Sequence, residues 1–394
     1  MSNYRLNTTT DIEKFYHLYL YAFNAEDTPI RQSFFYDRCK HGLVYGIKQK
    51  SQLISALYSL PFKVDFHGVQ YLMNGIGDVA TAPENAGMGS ATKLLQNALE
   101  DMEKNNITLS YLAPFSYEYY RRLGYEQVFN HLQYSLSNKD IPNFKPNNKN
   151  GKLVRGYLKN YLSQVSNFYS LYAQKGLKGG LIRASWWWEY LTIKNNWYVC
   201  LYFNEQKEAE GYVIYEITSS KLIVKEFIYL TNSAFENLLA FIFNHKNTVF
   251  KFVWDSPDPV YHGDFLANPS NLKAEIVPYM MVRIINIKNF LLKYPYQKKN
   301  FNPIRLKIED KNLEKNSGIW QISSTNGTVK VNKLNDLSTD LTEKISIQEL
   351  TKALFGSEKI SNISKVGKTS IKKETIQELS QILIKTPPEI TDYF

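Results

Sequence analysis

Cysteine is nearly absent, with Cys39 and Cys200 the only two in 394 residues. Two thiols this far apart exclude a disulfide framework, and each reads as an ordinary half-buried side chain. Histidine is scarce as well. His17, His41, His67, His131, His245 and His262 show none of the short spacings that metal sites use, so metal catalysis is not expected. No run approaches the stretch of about 18 apolar residues that a membrane helix needs. The opening Met1-Ser2-Asn3-Tyr4-Arg5 leads into mixed sequence without a signal-type apolar block. The expectation is a cytoplasmic chain with no membrane partner. Dense basic blocks are missing too: the formal charge of +10 is spread along the length. That pattern fits a solvated lysine surface and argues against a nucleic-acid partner.

What is present is organised around residues 71–125. The run Asp78-Val79-Ala80-Thr81-Ala82-Pro83-Glu84-Asn85-Ala86-Gly87-Met88-Gly89-Ser90-Ala91 reads as a strand, a tight glycine turn and the start of a helix. The helix follows from Ala91, Leu94, Leu95, Ala98, Leu99 and Met102, which recur at helical spacing. Gly87 and Gly89 can adopt positive φ and carry no Cβ, so consecutive backbone N–H groups can point at one phosphate, with the helix N-terminus behind them. The natural ligand of such a turn is a pyrophosphate. A strand follows at 107–113, with Ile107, Leu109 and Tyr111 alternating, and then a short helix closed by Gly124.

This ordered set, with V-x-T-x-P-E at 79–84, the glycine turn, helix, strand and Y-x-x-x-G-Y at 120–125, resembles the GCN5-related N-acetyltransferase (GNAT) fold. The resemblance implies acetyl-CoA as acyl donor. It puts donor contacts at Val79, Ala80 and Thr81, at Gly87, Met88, Gly89, Ser90, Ala91 and Thr92, and at Phe115 and Ser116. It also makes Tyr120 the general acid, and a phenol with a pKa near ~10 suits protonation of an alkyl thiolate. On the residues alone, Tyr117, Tyr119, Tyr120 and Tyr125 could equally be packing. Ala86 stands where the family turn usually carries Gln or Arg, and Met88 where a basic residue is common, so weaker CoA affinity is expected.

Upstream, helical spacing over 8–40 is broken at Asp27-Thr28-Pro29, and strands are expected at 43–48, 53–60, 62–66 and 69–73. Residues 138–152, with two prolines and five asparagines, read as a linker. Beyond it, a helix at 157–172, the R-x-x-W-W-W run from Arg183 to Trp188, a hairpin at 197–217, a strand at 222–229 and a helix at 234–243 make a second α+β unit without a glycine turn. The tryptophans read as buried packing with their indole N–H groups satisfied rather than as a stacking platform. These features, with the stretch 278–287, are similar to the Eis (enhanced intracellular survival) family. Its members carry two GNAT-like domains and a C-terminal sterol-carrier-protein-like domain.

The implied fold class is α+β: two GNAT-like domains with mixed, mostly antiparallel sheets and helices, plus a sterol-carrier-protein-like α+β domain. The expected boundaries are 1–137 for the catalytic domain, 138–152 for the linker, 153–280 for the degenerate GNAT-like domain and 281–394 for the last. In that last part, strands are expected at 304–309, 318–323 and 329–332, and helices at 346–356, with a Ser346/Glu349 capping box, and at 370–384. Gly367-Lys368-Thr369 resembles the end of a phosphate loop, but Asn362 occupies the place of its first glycine and no nucleotide site is read there.

The tail Pro387-Pro388-Glu389-Ile390-Thr391-Asp392-Tyr393-Phe394 is apolar and stiffened where most chain ends fray, and it reads as docked. In the family the terminal carboxylate serves as general base, which the resemblance puts on the α-carboxylate of Phe394; a tail packed only for stability is the other reading. The implied activity is acetyl-CoA-dependent N-acetyl transfer, without a metal, to amines of polycationic, aminoglycoside-like small molecules or to lysine side chains. Transfer would be direct, in a ternary complex, and the resemblance implies a homo-oligomer, a hexamer. Glu26, Asp27 and Asp392 are candidates to attract a cationic acceptor. Two alternatives stand: a non-catalytic lipid- or ligand-binding protein with a vestigial GNAT domain, and a tandem-GNAT aminoacyltransferase. An open apolar cavity in the third domain would favour the first.

Overall fold

The computed structural model describes residues 4–148, 150–263, 266, 268–334, 343–366 and 369–394. Gly367 and Lys368 of the G-K-T run lie outside the described residues. The chain opens with helices α1 (Thr9–Ala22) and α2 (Pro29–His41). Each starts on a threonine in extended backbone, Thr8 or Thr28, whose hydroxyl accepts from the N–H three residues on. There follow β1 (Leu43–Gln49), β2 (Gln52–Phe66), β3 (Val69–Thr81), α3 (Ser90–Lys104), β4 (Leu109–Leu112), α4 (Tyr117–Arg122) and β5 (Glu126–Ser137). β2 is one strand where the sequence suggested two. Pro61 lies within it opposite Asn74 of β3, and β1 stops pairing at Ser59, so the N–H that proline lacks is not needed by β1.

Next come β6 (Lys152–Tyr157), α5 (Leu162–Ala173), β7 (Lys178–Leu181), α6 (Ser185–Lys194), β8 (Tyr198–Phe203), β9 (Ala209–Ile217), β10 (Lys221–Tyr229), α7 (Asn232–Phe243), β11 (Lys251–Ser256) and β12 (Lys273–Ile284). The last part holds α8 (Ile287–Lys293), β13 (Phe301–Glu309), β14 (Gly318–Thr325), β15 (Thr328–Leu334), β16 (Lys344–Ser346), α9 (Ile347–Leu354), α10 (Ile360–Lys365) and α11 (Lys373–Ile382).

These elements sort into two compact units. One comprises Met1–Phe129, Tyr279–Pro388 and Tyr393–Phe394; the other comprises Asn130–Pro278 and Glu389–Asp392. The boundary expected at residue 280 therefore falls inside β12, and the third region shares a unit with the first.

In the first unit the strand order is β1-β2-β3-β4-β12, with β3 and β4 parallel and the other neighbours antiparallel. α3 buries Leu94, Leu95, Ala98, Leu99 and Met102 against Tyr45, Leu57, Ile76 and Leu112, the face its spacing marks out. Each buried leucine is worth about 1.5–3 kcal/mol. The third region adds a second sheet, β15-β14-β13-β16. Arg283 of β12 ties the two together. Its Nη2 donates to both oxygens of Asp310 at 2.7 Å, and both side chains are fully buried. Gly124, at φ +84°, lets the guanidinium pass: a Cβ there would sit 2.7 Å from Arg283 Cζ. α9 begins on Ser346, whose hydroxyl accepts from the Glu349 N–H, and Gly356 follows its end at φ +70°.

In the second unit the order is β5-β11-β10-β9-β8-β6, with β10 and β11 parallel. The tryptophan run is packing. Trp187 is fully buried with its indole N–H donating to Asp392 Oδ1 at 2.7 Å, and the Arg183 guanidinium lies 4.5 Å over Trp188. Arg183 also pairs with Asp392 and Glu226. Asp392 is thus spent inside this triad and does not serve as a free carboxylate for a cationic acceptor.

Candidate active site

The site grows from a fork between two parallel strands. β3 and β4 pair from Met73↔Leu109 to Ile76↔Leu112, where β4 ends while β3 runs on to Thr81. Beyond Ile76, the edge of β3 that faced β4 has no strand partner among the described residues, and its backbone polar groups open toward the fork. On its other edge the register with β2 jumps, from Tyr58↔Gly77 to Ala56↔Ala80. The bulge between them holds Asp78 at φ +46°, a conformation that a non-glycine residue reaches only under strain. The buried Arg38 holds it there, with Nη2 donating to Asp78 Oδ2 at 2.6 Å and Nη1 to the Tyr58 hydroxyl at 3.0 Å. Gly77 is needed beside it, because a Cβ would meet the Tyr58 hydroxyl at 2.2 Å. Arg38, Tyr58 and Asp78 carry no signature in the sequence, since only the cross-strand register brings them together.

The first three residues expected to contact the donor, Val79, Ala80 and Thr81, lie just past this bulge. Ala80 is buried, with its carbonyl accepting from Ser55 Oγ at 3.0 Å; Thr81 Oγ1 lies 2.9 Å from the same hydroxyl, and Val79 is half-buried. The glycine turn then follows. Gly87 and Gly89 have φ +78° and +80°, and a Cβ built on either would meet nothing within 4 Å. Gly89 caps α3 with no side-chain bond, and the first helical bond is Lys93 N–H to the Gly89 carbonyl. The N–H groups of Gly89, Ser90, Ala91 and Thr92 thus have no intrahelical acceptor, and they point out of an exposed turn. This cradle fits a pyrophosphate. Met88, 71% exposed, adds no positive charge.

At the other side of the fork, Ser116 caps α4 by accepting from the Tyr119 N–H, and Phe115 projects 70% exposed beside Tyr119 and Tyr120. The tyrosines divide by their hydroxyls. Tyr119 is paired with Thr92 Oγ1 at 3.2 Å and Tyr125 with Ser110 Oγ at 2.7 Å. Tyr120 is buried, yet its hydroxyl takes no hydrogen bond among the described residues. Burial pushes its phenol far above the ordinary tyrosine range, and Tyr119, Tyr125 and Tyr393 push it further. Tyr393 in turn feels Asp78, so tail, phenol and strained bulge lie within electrostatic reach of one another. The ring of Phe394 is buried on β3 directly over Gly75, against Phe62 at 5.2 Å.

The other acidic candidates do not join this group. Asp27 accepts from Tyr16 and Gln32, which hold its carboxyl below the usual range, and Glu26 is an exposed carboxylate. Both thiols are pushed up to about 12 by burial, inert rather than nucleophilic. Among the described residues no group of three His, Cys, Asp or Glu could hold a metal ion, and no helix is long and apolar enough to cross a membrane.

The sequence profile of the acetyltransferase (GNAT) domain matches residues 3–128, and a second acetyltransferase (GNAT) domain profile matches 179–284. The chain belongs to the GNAT acetyltransferase family. A sterol carrier protein domain profile matches residues 287–390 of this GNAT enzyme. Among solved structures, a probable N-acyltransferase of Enterococcus faecalis V583 is 34% identical over 99% of both chains, with a TM-score of 0.92. A GCN5-related N-acetyltransferase from Anabaena variabilis ATCC 29413 is 22% identical over 100% of both chains, with a TM-score of 0.87. Eis1 from Mycobacterium abscessus is 15% identical over 99% of both, with a TM-score of 0.79. At the last two identities the likeness is one of fold, and in that three-part fold this GNAT acyltransferase is Eis-like. No curated protein sequence matches it significantly.

Proposed function

We propose that this GNAT enzyme is an acetyl-CoA-dependent N-acetyltransferase acting on amines of polycationic, aminoglycoside-like small molecules or of lysine side chains, by direct transfer in a ternary complex. The observation that carries the proposal is the buried side chain of Tyr120, whose hydroxyl has no hydrogen-bond partner among the described residues at the mouth of the β3/β4 fork. The exposed cradle of Gly87 and Gly89 holds the donor's pyrophosphate, and the thioester supplies the acyl group. Backbone N–H groups around Val79, Ala80 and Thr81 stabilise the charge that develops on the carbonyl oxygen. The α-carboxylate of Phe394 takes the proton from the attacking amine as the N–C bond forms. Tyr120 gives its proton to the sulfur as the C–S bond breaks, and as a phenol it carries that proton at neutral pH. The same proposal includes a cytoplasmic, homo-oligomeric enzyme, hexameric as in the family it resembles.

The vestigial-GNAT alternative finds little support in the third region. A depression there is lined mainly by polar residues, among them Lys298, Asn300, Asn302 and Asn326, rather than by an apolar wall. The test is release of free thiol from acetyl-CoA with aminoglycosides, polyamines and lysine peptides, together with calorimetric titration of CoA. Turnover with any of these acceptors supports the reading. Silence with all of them, and no heat of CoA binding, would overturn it.

A further inference from the structure

The second unit repeats the fork of the first with a different interior. β10 and β11 pair in parallel from Lys221↔Lys251 to Val224↔Trp254, after which β10 runs on to Tyr229 beside β9 and without β11. Here too the register with the neighbouring strand jumps immediately beyond the paired stretch, between Val224 and Glu226. The helix that follows is built against phosphate. Two residues separate β10 from α7, Thr231 caps the helix by accepting from the Ala234 N–H, and the Thr231 hydroxyl donates to Glu210. A capped helix end beside a carboxylate repels a pyrophosphate.

The fork nevertheless opens into a cavity of about 560 Å³, within the size range of small-molecule sites. Its walls are apolar, formed by Leu177, Val224, Leu239, Ile242, Phe243 and Phe252, with Tyr172, Tyr229 and Trp254 adding aromatic faces. Charge gathers at one end. Lys178 pairs with Glu389 at 2.6 Å and Asp258 with His262 at 3.1 Å, while Glu226 and Asp392 share Arg183. Among the described residues that line the cavity, Lys178 is the permanent cation, set against the three carboxylates of Glu226, Asp258 and Glu389. Burial pushes the Glu389 and Asp392 carboxyls up from the usual range, against the opposing pull of Lys178 on the first and Arg183 on the second.

We infer that this cavity binds a small apolar amine, a single ammonium head on a hydrocarbon or aromatic body. The head sits at the carboxylate end among Tyr172, Tyr229 and Asp258, and the body fills the cleft between α7 and the sheet. An anionic amphiphile of the same length is refused by the excess of carboxylates, and a neutral one lacks the Coulomb and cation–π attraction.

The test titrates the full chain with octylamine, octan-1-ol and octanoate, following heat and tryptophan fluorescence. Octylamine is expected to bind saturably and about tenfold or more tighter than octanol, with octanoate not binding. Leu239→Trp, which fills the cavity, abolishes binding. Gly180→Leu serves the same purpose should that variant melt early, since a Cβ on Gly180 meets nothing closer than 3.5 Å. Asp258→Asn weakens octylamine by about three- to tenfold and leaves octanol unchanged. The inference is overturned if octylamine fails to saturate, if octanoate binds as well, or if the amine binds undiminished when the cavity is filled or Asp258 neutralised.

Discussion

Replacing Gly75 by alanine would separate a catalytic tail from a merely packed one. A Cβ at this position would lie 2.5 Å from two ring carbons of Phe394. Comfortable carbon contacts begin at about 3.5–4.0 Å, so ring or strand must move by about an ångström. The strand is the stiffer partner, because Gly75 pairs with Leu60 on one edge and Tyr111 on the other. The ring therefore retreats and takes the terminal carboxylate with it. Overpacking of this kind costs about 1–3 kcal/mol, which calorimetry reads as a lowered melting temperature. Misplacing a reacting group by an ångström can cost about 100-fold, and kcat for thiol release from acetyl-CoA is expected to fall by that order. A companion variant with one glycine added after Phe394 keeps the ring but turns its carboxylate into a neutral amide. Its melting temperature should match the parent while kcat drops by about 10²–10⁴, the range of a lost general base. If Gly75→Ala melts early but keeps kcat within about twofold, and the extended chain is fully active, the tail is only packing and the base lies elsewhere.

Tyr120→Phe is expected to lower kcat/KM by about 10²–10⁴ with little change in melting temperature, because the lost hydroxyl has no protein partner among the described residues; steady-state kinetics beside calorimetry checks both. Arg283→Met leaves Asp310 as a buried, uncompensated carboxylate, and urea unfolding should show a loss of about 3–5 kcal/mol. Burial raises the phenols of Tyr111, Tyr125, Tyr169 and Tyr212 as well as Tyr120. The folded chain therefore keeps these protons after the unfolded chain begins to lose them near about pH 10. Stability from this source is intact below that pH and falls as pH rises through it, so urea midpoints should be flat up to about pH 9 and drop beyond.

Where a feature depends on neighbours in the chain, the amino-acid sequence alone is enough to read it. The helix from Ser90, the two glycines that take positive φ and the Ser346 capping box all rest on residues within a few positions of one another. The tryptophan run is legible as packing, though its partners are not, because Asp392 lies 205 residues from Trp187. What the sequence hides is long-range. Asp78 looks like any polar residue in a strand until the register with β2 slips beside it, and Arg38 reaches it across 40 residues. Continuity of β2 through Pro61 is equally hidden, since it turns on where a neighbouring strand stops. The cavity of the second unit has no motif because its walls are ordinary apolar core residues drawn from distant parts of the chain.

The GNAT profile ends at residue 128, yet the sheet it describes is not finished there. The next strand beside β4 is β12, paired through Met281↔Leu112 to Ile284↔Leu109. Asn312 and Gln348 donate to the carbonyls of Arg122 and Arg121, pinning the end of the helix that carries Tyr120. Genetic recombination at that seam would transplant a bare strand edge and a loose tyrosine rather than a transferase. A fragment cut at residue 128 would therefore lack both the strand that covers β4 and the two side chains that pin the end of the Tyr120 helix.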